Sequence, residues 1–417
     1  MDGSSVPADK LGCMRDVVVY DDGSGVLGPL RDLRAAFDVR TGALTNLERL
    51  RAAGGIRVVG LVVPERLAAV TEERHGLPVN LPGLLGRGVW LADGLSTLLA
   101  GEGLAGGGPL RDEVTKRTVY APAEGRTVES LLGGAGPAAA LEAQDIRAGV
   151  LQRPWDVKKF RDACLGLDVA RLREGAGTSA PVPPGVHVLG GHGVHIAAGV
   201  RVDPAVVLDA SGGPIVLQTG AVVRPGAVVV GPCAVGANSV VLERAVVRAS
   251  ALGPWCKVGG EVSGCVFQGY ANKAHDGFLG DSWVGEWVNL GAGTTGSNLL
   301  NTYGDVAARA MPGTSMERTG EQFLGAVLGD HVRTAIGTRL MTGAVVGTGT
   351  MWAATGPITG AVPRFTWATD AGLSRYRGPK FLEVAAAAMG RRGVVLGGAY
   401  AAAVRALLAA EAGTKES

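Results

Sequence analysis

One histidine stands at a break in an otherwise regular pattern: His275, between Lys273 and Asp276 and close to two glycines. An imidazole accepts a proton near neutral pH, which acyl transfer to an amine or hydroxyl requires. The plain alternative is a structural or solvated histidine. Asn289 and Asn298 flank the G-A-G-T turn at Gly291–Thr294. They either position a substrate or stack with other asparagines as a corner ladder. Arg34 and Arg40 follow the first candidate strand, in the region where α/β domains bind ligands beyond the carboxyl ends of their strands. There they would meet phosphates, or simply lie on the surface. Asp93 ends the apolar run VWLADG, where it would hold Mg²⁺ against a nucleotide phosphate or only form a turn. His187, His192 and His195 lie close together, but no carboxylate or cysteine completes a metal set, and they read as structural. No Ser/His/Asp or Cys/His nucleophile arrangement is legible, and the glycine-rich pieces match neither a P-loop nor a Rossmann fingerprint.

The elements that must position these residues fall into three zones. From Asp16 to Gly149, short apolar runs alternate with helical stretches. Val17–Tyr20 reads as a strand, 44–53 as a helix closed by Gly54 and Gly55, and Ile56–Val63 as a second strand stopped by Pro64. That order suggests a parallel α/β sheet. Gly106–Gly108 and the stretch from Gly133 to Pro137 read as loops. A bridging segment, Gln152–Arg173, opens on Arg153-Pro154-Trp155-Asp156 and turns helical, and 175–184 is linker-like. The third zone repeats every six residues from Val194: VHIAAG, VRVDPA and VVLDAS, then AVVRPG through KVGGEV. Period six is neither helical nor simple strand alternation. It fits a solenoid whose coils each contain three short strands and three turns. The 67 glycines agree with so many tight turns. A glycine- and valine-rich β-sandwich is the alternative, but sandwich strands vary in length and these units hold register. The repeat breaks at 263–274 and again for a loop of about 295–322, returns over Val327–Thr350, and gives way after Pro363 to a helical pattern.

The formal net charge of +2 supplies no global field for nucleic acid or membrane. Cys13, Cys164, Cys233, Cys256 and Cys265 are odd in number and scattered, and read as reduced thiols. Asp2, Ser4, Ser5, Asp9 and Lys10 make the N-terminus too polar for a signal-peptide core. Arg391, Arg392 and Arg405 interrupt the alanine-rich end before it reaches spanning length. A cytoplasmic protein with no nucleic-acid or membrane partner is the expectation.

The run VFQGYANKAHDGFLGDSWVGEWVNLGAGTTGSNLLNTYG, Val266–Gly304, closely resembles a family of two-domain sugar nucleotidyltransferase-like proteins. These are variants of the bifunctional UDP-N-acetylglucosamine diphosphorylase/glucosamine-1-phosphate N-acetyltransferase. TGEQFLGAVLGDHVRTAIGT, VPRFTW, RPWD, VVVYDDG and FDVRTGALTNLERL resemble further hallmarks of the family, so the likeness spans nearly the whole chain. In the bifunctional enzyme the matching segments read K-A-G-H-x-x-Y-L-G-D, V-N-I-G-A-G-T and C-N-Y. The resemblance places His275 on the catalytic base, Phe278 on the tyrosine, and Asn289 and Asn298 on the two asparagines. It also implies a left-handed winding, a homotrimer with clefts between subunits, and acetyl-CoA as co-substrate. Phe278 lacks the phenol that would contact the sugar phosphate, and Ser297-Asn298-Leu299 replaces C-N-Y-D-G, which changes the substrate wall. The signature G-x-G-T-R-M…P-K-V-L is absent, and an expected T-R-P is Leu33-Arg34-Ala35.

The sequence therefore predicts a nucleotidyltransferase-like α/β domain over 16–150, a bridging helix and linker over 151–184, a left-handed parallel β-helix of hexapeptide repeats over 185–362, and a helical tail over 363–417. The leading function is acyl transfer from acyl-CoA to a sugar phosphate or nucleotide sugar. His275 would be the base, with Lys273, Asn289 and Asn298 on the substrate and Arg333 and Arg339 on CoA phosphates. Mg²⁺-dependent nucleotidyl transfer from a nucleoside triphosphate would use Arg34, Arg40 and Asp93. Two alternatives stand beside it: nucleotidyl transfer alone with the β-helix as an oligomerisation scaffold, and a non-catalytic assembly or regulatory protein.

Overall fold

The computed structural model describes residues 14–413 apart from 102–103, 105–106, 138–141 and 176. Cys13, the polar N-terminal residues and Gly106 lie outside the described residues. The chain forms two compact units. The first takes residues up to Ser24, Ala35–Asp38 and Asn46–Val150; the second takes Gly25–Arg34, Val39–Thr45 and everything from Leu151.

The first unit is built on six strands: β1 (Arg15–Tyr20), β2 (Ile56–Val62), β3 (Trp90–Asp93), β4 (Leu110–Asp112), β5 (Thr118–Pro122) and β6 (Gln144–Ile146). Their order across the sheet is β2-β1-β3-β5-β4-β6. β1 is parallel to β2 and β3, whereas β5 runs antiparallel to both its neighbours, so the sheet is mixed where the strand–helix–strand order suggested a parallel one. Val17–Tyr20 is a continuous apolar run because it is central and covered on both faces. Helices α1 (Asn46–Arg51), α2 (Glu65–His75) and α3 (Val128–Leu132) complete the unit.

The second unit is a parallel β-solenoid with three walls. The first wall begins with His187–Leu189 and runs through Val207–Asp209 to Phe278–Gly280. The second carries nine strands from Val194–Ile196 to Ala361–Val362. The third runs from Arg201–Val202 through Asn272–Lys273, Asn289 and Arg333–Thr334 to Thr366–Thr369. Inward Val, Leu, Ile, Ala and Cys side chains of successive coils merge into one core. Cys233, Cys256 and Cys265 sit within it, and burial pushes each thiol up to about 12. They pack as small hydrophobes. The sequence pattern breaks at 263–274, but the coils do not. Val266–Phe267 and Asn272–Lys273 pair with the coils on either side.

The long excursion after Thr295–Gly296 folds back as an antiparallel pair, Ala307–Ala308 with Glu317–Arg318. The Arg-Pro-Trp-Asp segment holds it down. Trp155 packs with Val306, Ala308, Ala310 and Leu324, Arg153 pairs with Glu317 at 2.8 Å, and Lys158 pairs with Glu321. Helix α4 (Asp156–Gly175) follows. Beyond the solenoid, a hairpin (Thr366–Thr369 with Gly372–Arg375) leads into α5 (Gly378–Gly390) and α6 (Gly398–Gly413). No helix among the described residues is long and apolar enough to cross a membrane.

Residues 25–34 and 39–45 join the solenoid for electrostatic and hydrogen-bonding reasons. Arg34 is fully buried, and its Nη2 donates to both carboxylate oxygens of Asp330, at 2.7 and 2.8 Å. The same nitrogen lies 3.1 Å from Glu286. Asp32 pairs with Arg364, and the Arg40 carbonyl accepts from the Trp283 indole at 3.0 Å. Removing one member of a buried ion cluster strands the others in a medium that cannot solvate them. Arg34→Met is expected to lower unfolding free energy by about 3–5 kcal/mol. Paired Arg34→Met/Asp330→Leu should recover part of that loss, and urea titration of the single and double variants measures both.

Candidate functional site

In a parallel solenoid every coil places equivalent residues at the same corner. At the corner between the second and third walls, successive coils present Gly199, Gly220, Asn238, Trp255, Tyr270, Trp287, His331, Gly349 and Phe365, all with positive φ. This is the left-handed turn that Gly and Asn adopt at least cost, and a bulky residue there is an outlier. Here a run of rings occupies it. Trp255 and Tyr270 stack at 6.4 Å between centroids, Tyr270 and Trp287 at 4.2 Å, and Trp287 and His331 at 6.3 Å. The lower end is covered by the tail, where Phe381 meets His331 and Phe365 edge-on. The Tyr400 hydroxyl lies 2.9 Å from His331 Nε2. Burial holds the His331 imidazole neutral, down to about 3.

Beside this ladder runs the outward column of the third wall, in register: Val240, Lys257, Asn272, Asn289, Arg333. Ladder, column and α5 enclose a cleft of about 650 Å³. Asn272 Nδ2 donates to Asn289 Oδ1 at 2.9 Å, so the asparagine ladder expected as the alternative does form, inside this cleft. Arg333 lines it too. Burial lowers its pKa; Tyr376 opposes this, and the nearby Arg391 charge adds a smaller push downward.

His275 lies at the next corner, between the third and first walls, on the four-residue turn from Lys273 to Phe278. It is exposed. Lys273 is 2% exposed and reaches along the solenoid interior, donating to the Gly259 carbonyl at 3.0 Å and the His275 carbonyl at 2.7 Å. Burial brings its ammonium down to about 8. It therefore fixes the main chain under His275 from inside. On the adjoining first wall, Phe278 and the Asn298 amide crowd the space over Gly280, where an added Cβ would come within 2.6 Å of either. Asn298 donates to Asp281 at 2.7 Å, and Asp281 also pairs with Arg161 of α4. The structure thus brings His275, Lys273, Phe278 and Asn298 onto neighbouring segments, and puts Asn289 with Arg333 on the face of the third wall. Arg339 lies on an outward first-wall strand and donates to Thr355.

The residues expected to serve nucleotidyl transfer are placed otherwise. Arg34 is neutralised by Asp330 and Glu286. Arg40 is buried; its amide donates to the Gln268 side chain and its guanidinium to the carbonyls of Gln268 and Ala43. Asp93 ends β3 beside Tyr20 and Asp22, but Arg117 bridges both carboxylates. Burial raises Asp93 to about 6 against the pull of Arg117. Each carboxylate spends its other oxygen on a backbone amide, Leu95 for Asp93 and Ser24 for Asp22. This donor set does not fit Mg²⁺, which wants free carboxylate oxygens, and the Mg²⁺ expectation at Asp93 is unsupported. Among the described residues no cluster of His, Cys, Asp and Glu is arranged for a metal, His187, His192 and His195 included.

No family model and no curated protein matches the chain. Among solved structures, one likeness is to a mutant GDP-perosamine N-acetyl transferase from Caulobacter crescentus, in complex with CoA and GDP-perosamine. It shares 12% identity over 87% of this chain and 97% of that one, with a TM-score of 0.13. A likeness that slight carries no argument.

The aromatic ladder escaped the sequence reading, which ran along the chain. Its signal lies across coils: G-P-W-C-K, Q-G-Y-A-N, G-E-W-V-N and G-D-H-V-R put a ring two residues before a polar wall residue each time. His331 supplies a test. Its folded value lies below the unfolded one near 6.5, so its contribution is whole above that pH and fades as pH falls toward 3. His331→Asn keeps a residue suited to positive φ and removes the titration. The stability gap between wild type and variant should narrow on acidification from pH 7 to 4, by up to about 1.4 kcal/mol per pH unit. Parallel stability curves from urea unfolding would show that His331 does not titrate in this way.

Proposed function

We propose that the solenoid is an acyltransferase that moves an acyl group from an acyl-CoA thioester to an amine or hydroxyl of a sugar phosphate or nucleotide sugar. The carrying observation is His275: an exposed imidazole on a corner turn whose main chain is pinned from inside by Lys273. Its position in the stretch that resembles the bifunctional diphosphorylase/N-acetyltransferase family supports the same reading. His275 removes the acceptor proton as nitrogen or oxygen attacks the thioester carbonyl. The new C–N or C–O bond forms, the C–S bond breaks, and the imidazolium returns the proton to the leaving thiolate. Asn298, oriented by Asp281, and Phe278 form the adjoining wall against the acceptor. Phenylalanine contributes area but no hydroxyl, so the acceptor is bound there without the phenol contact of the bifunctional enzyme. Asn289 and Arg333 serve substrate and CoA from the third wall, and Arg339 offers a further cation to CoA phosphate. Left-handed winding, a homotrimer and a cytoplasmic setting belong to the same reading.

Thiol release from acetyl-CoA, followed with a panel of amino-sugar phosphates and nucleotide-linked amino sugars, tests it. His275→Ala is expected to lower kcat by about 10²–10⁴-fold. Its unfolding midpoint should be unchanged, because the side chain is exposed. Thioester consumption that survives His275→Ala, or none with any acceptor, would sink the proposal.

A further inference from the structure

We infer that the cleft between the aromatic corner, the third wall and α5 is a binding site for a nucleoside diphosphate group, its base stacking on Trp255. Three features of the second unit point to this ligand. The ring ladder stops at Trp255, because the preceding rung is Asn238, and Trp255 remains 37% exposed while Trp287 is 6% exposed. A planar base laid over Asn238 would continue the stack by one ring, and aromatic side chains accept any base in this way because every base has a π-face. Lys257, Arg333, Arg391 and Arg392 all line the cleft; none of them forms an ion pair among the described residues, and Arg392 donates to the Trp255 carbonyl at 3.2 Å. The cleft's one carboxylate, Glu383, is already paired with Lys380 at 2.7 Å. A concave surface with this cationic excess attracts a polyanion. Finally, Asn272 and Asn289 face the same space and offer polar groups between the ring end and the arginines. A volume of about 650 Å³ is of the size that holds a nucleotide-sized ligand.

The rings are not needed to build the corner. Gly199, Gly220, Asn238 and Gly349 make the same turn without them. A planar ligand ring and a diphosphate account together for the exposed ring end and for cations that have no carboxylate partner among the described residues. Asn289 and Arg333 line this cleft, so the inference rests on the acyl-transfer reading and deepens it, yet its failure is distinguishable from failure at His275, since binding is read with neither thioester nor acceptor present. A nucleoside diphosphate group occurs both in CoA-type cofactors and in nucleotide sugars, and the probes separate these sources.

The test is calorimetric titration of the full-length chain with adenosine 3′,5′-bisphosphate, ADP, UDP and inorganic diphosphate, with tryptophan fluorescence in parallel. Trp255→Asn copies the Asn238 rung and so preserves the corner. It should weaken nucleotide binding about tenfold while leaving inorganic diphosphate unaffected. Arg391→Gln and Lys257→Gln should weaken all four probes and flatten the salt dependence. Preference for the adenosine compounds would assign the site to a CoA-type ligand, and preference for UDP to a nucleotide sugar; either supports the inference. It is overturned if no nucleotide binds below millimolar concentration, or if Trp255→Asn binds nucleotides as the wild type does. Inorganic diphosphate binding as tightly as the nucleotides would also overturn it.

Discussion

Each coil of the solenoid hands its backbone N–H groups to the carbonyls of a neighbouring coil, and the register of that exchange decides nearly everything else. Successive members of the column Lys257, Asn272, Asn289 and Arg333 are between 15 and 44 residues apart in the chain, yet they line up because their amides sit in consecutive rungs. The same register aligns the corners, so that side chains far apart in sequence stack ring on ring. Buried backbone groups must be paired, so a coil cannot slip without breaking the pairing of its whole perimeter. A side chain in this fold is therefore addressed by its rung and its wall more than by its neighbours along the chain.

That addressing explains what could and could not be read in advance. The hexads from Val194 were legible because inward positions repeat small and β-branched residues, and a strand indeed begins at Val194 and at Val207. His275 was legible because it sits where the hexads lose their pattern. At 263–274 the composition leaves the hexad pattern while the structure keeps it. Cys265, Phe267 and Ala271 fill inward positions as well as valine does, so the coil continues while the pattern fades. Asn289 and Asn298 looked equivalent beside one turn, but the turn sends them to different walls. The roles of Arg34 and Arg40 were hidden for another reason. Their partners, Asp330 and Gln268, are more than two hundred residues away, and no local spacing encodes such a pairing.

The solenoid also separates two kinds of polar side chain. Lys273 points inward, and its ammonium is satisfied by main-chain carbonyls of neighbouring turns, so it stiffens a corner that presents its histidine outward. Arg34, Asp330 and Glu286 form a second buried set, next to Trp287 and His331 in sequence. The ladder is therefore fixed from behind by charge and from below by the packing of Phe381 and Tyr400. At its upper end Arg392 of the tail donates to the Trp255 carbonyl at 3.2 Å, and the Trp255 ring faces the cleft.

The positive φ of the corner rungs has a consequence for how this sequence can change over time. At such a rung, Gly and Asn relieve strain and other residues add it. A single exchange of Trp255, Tyr270 or Trp287 for the Gly or Asn found at Gly220 and Asn238 would relieve the backbone at that rung. Stacking between Trp255, Tyr270 and Trp287 offsets part of that strain, so replacing any one ring relaxes its own turn and removes a contact from its neighbours. The three rungs therefore change together more readily than singly.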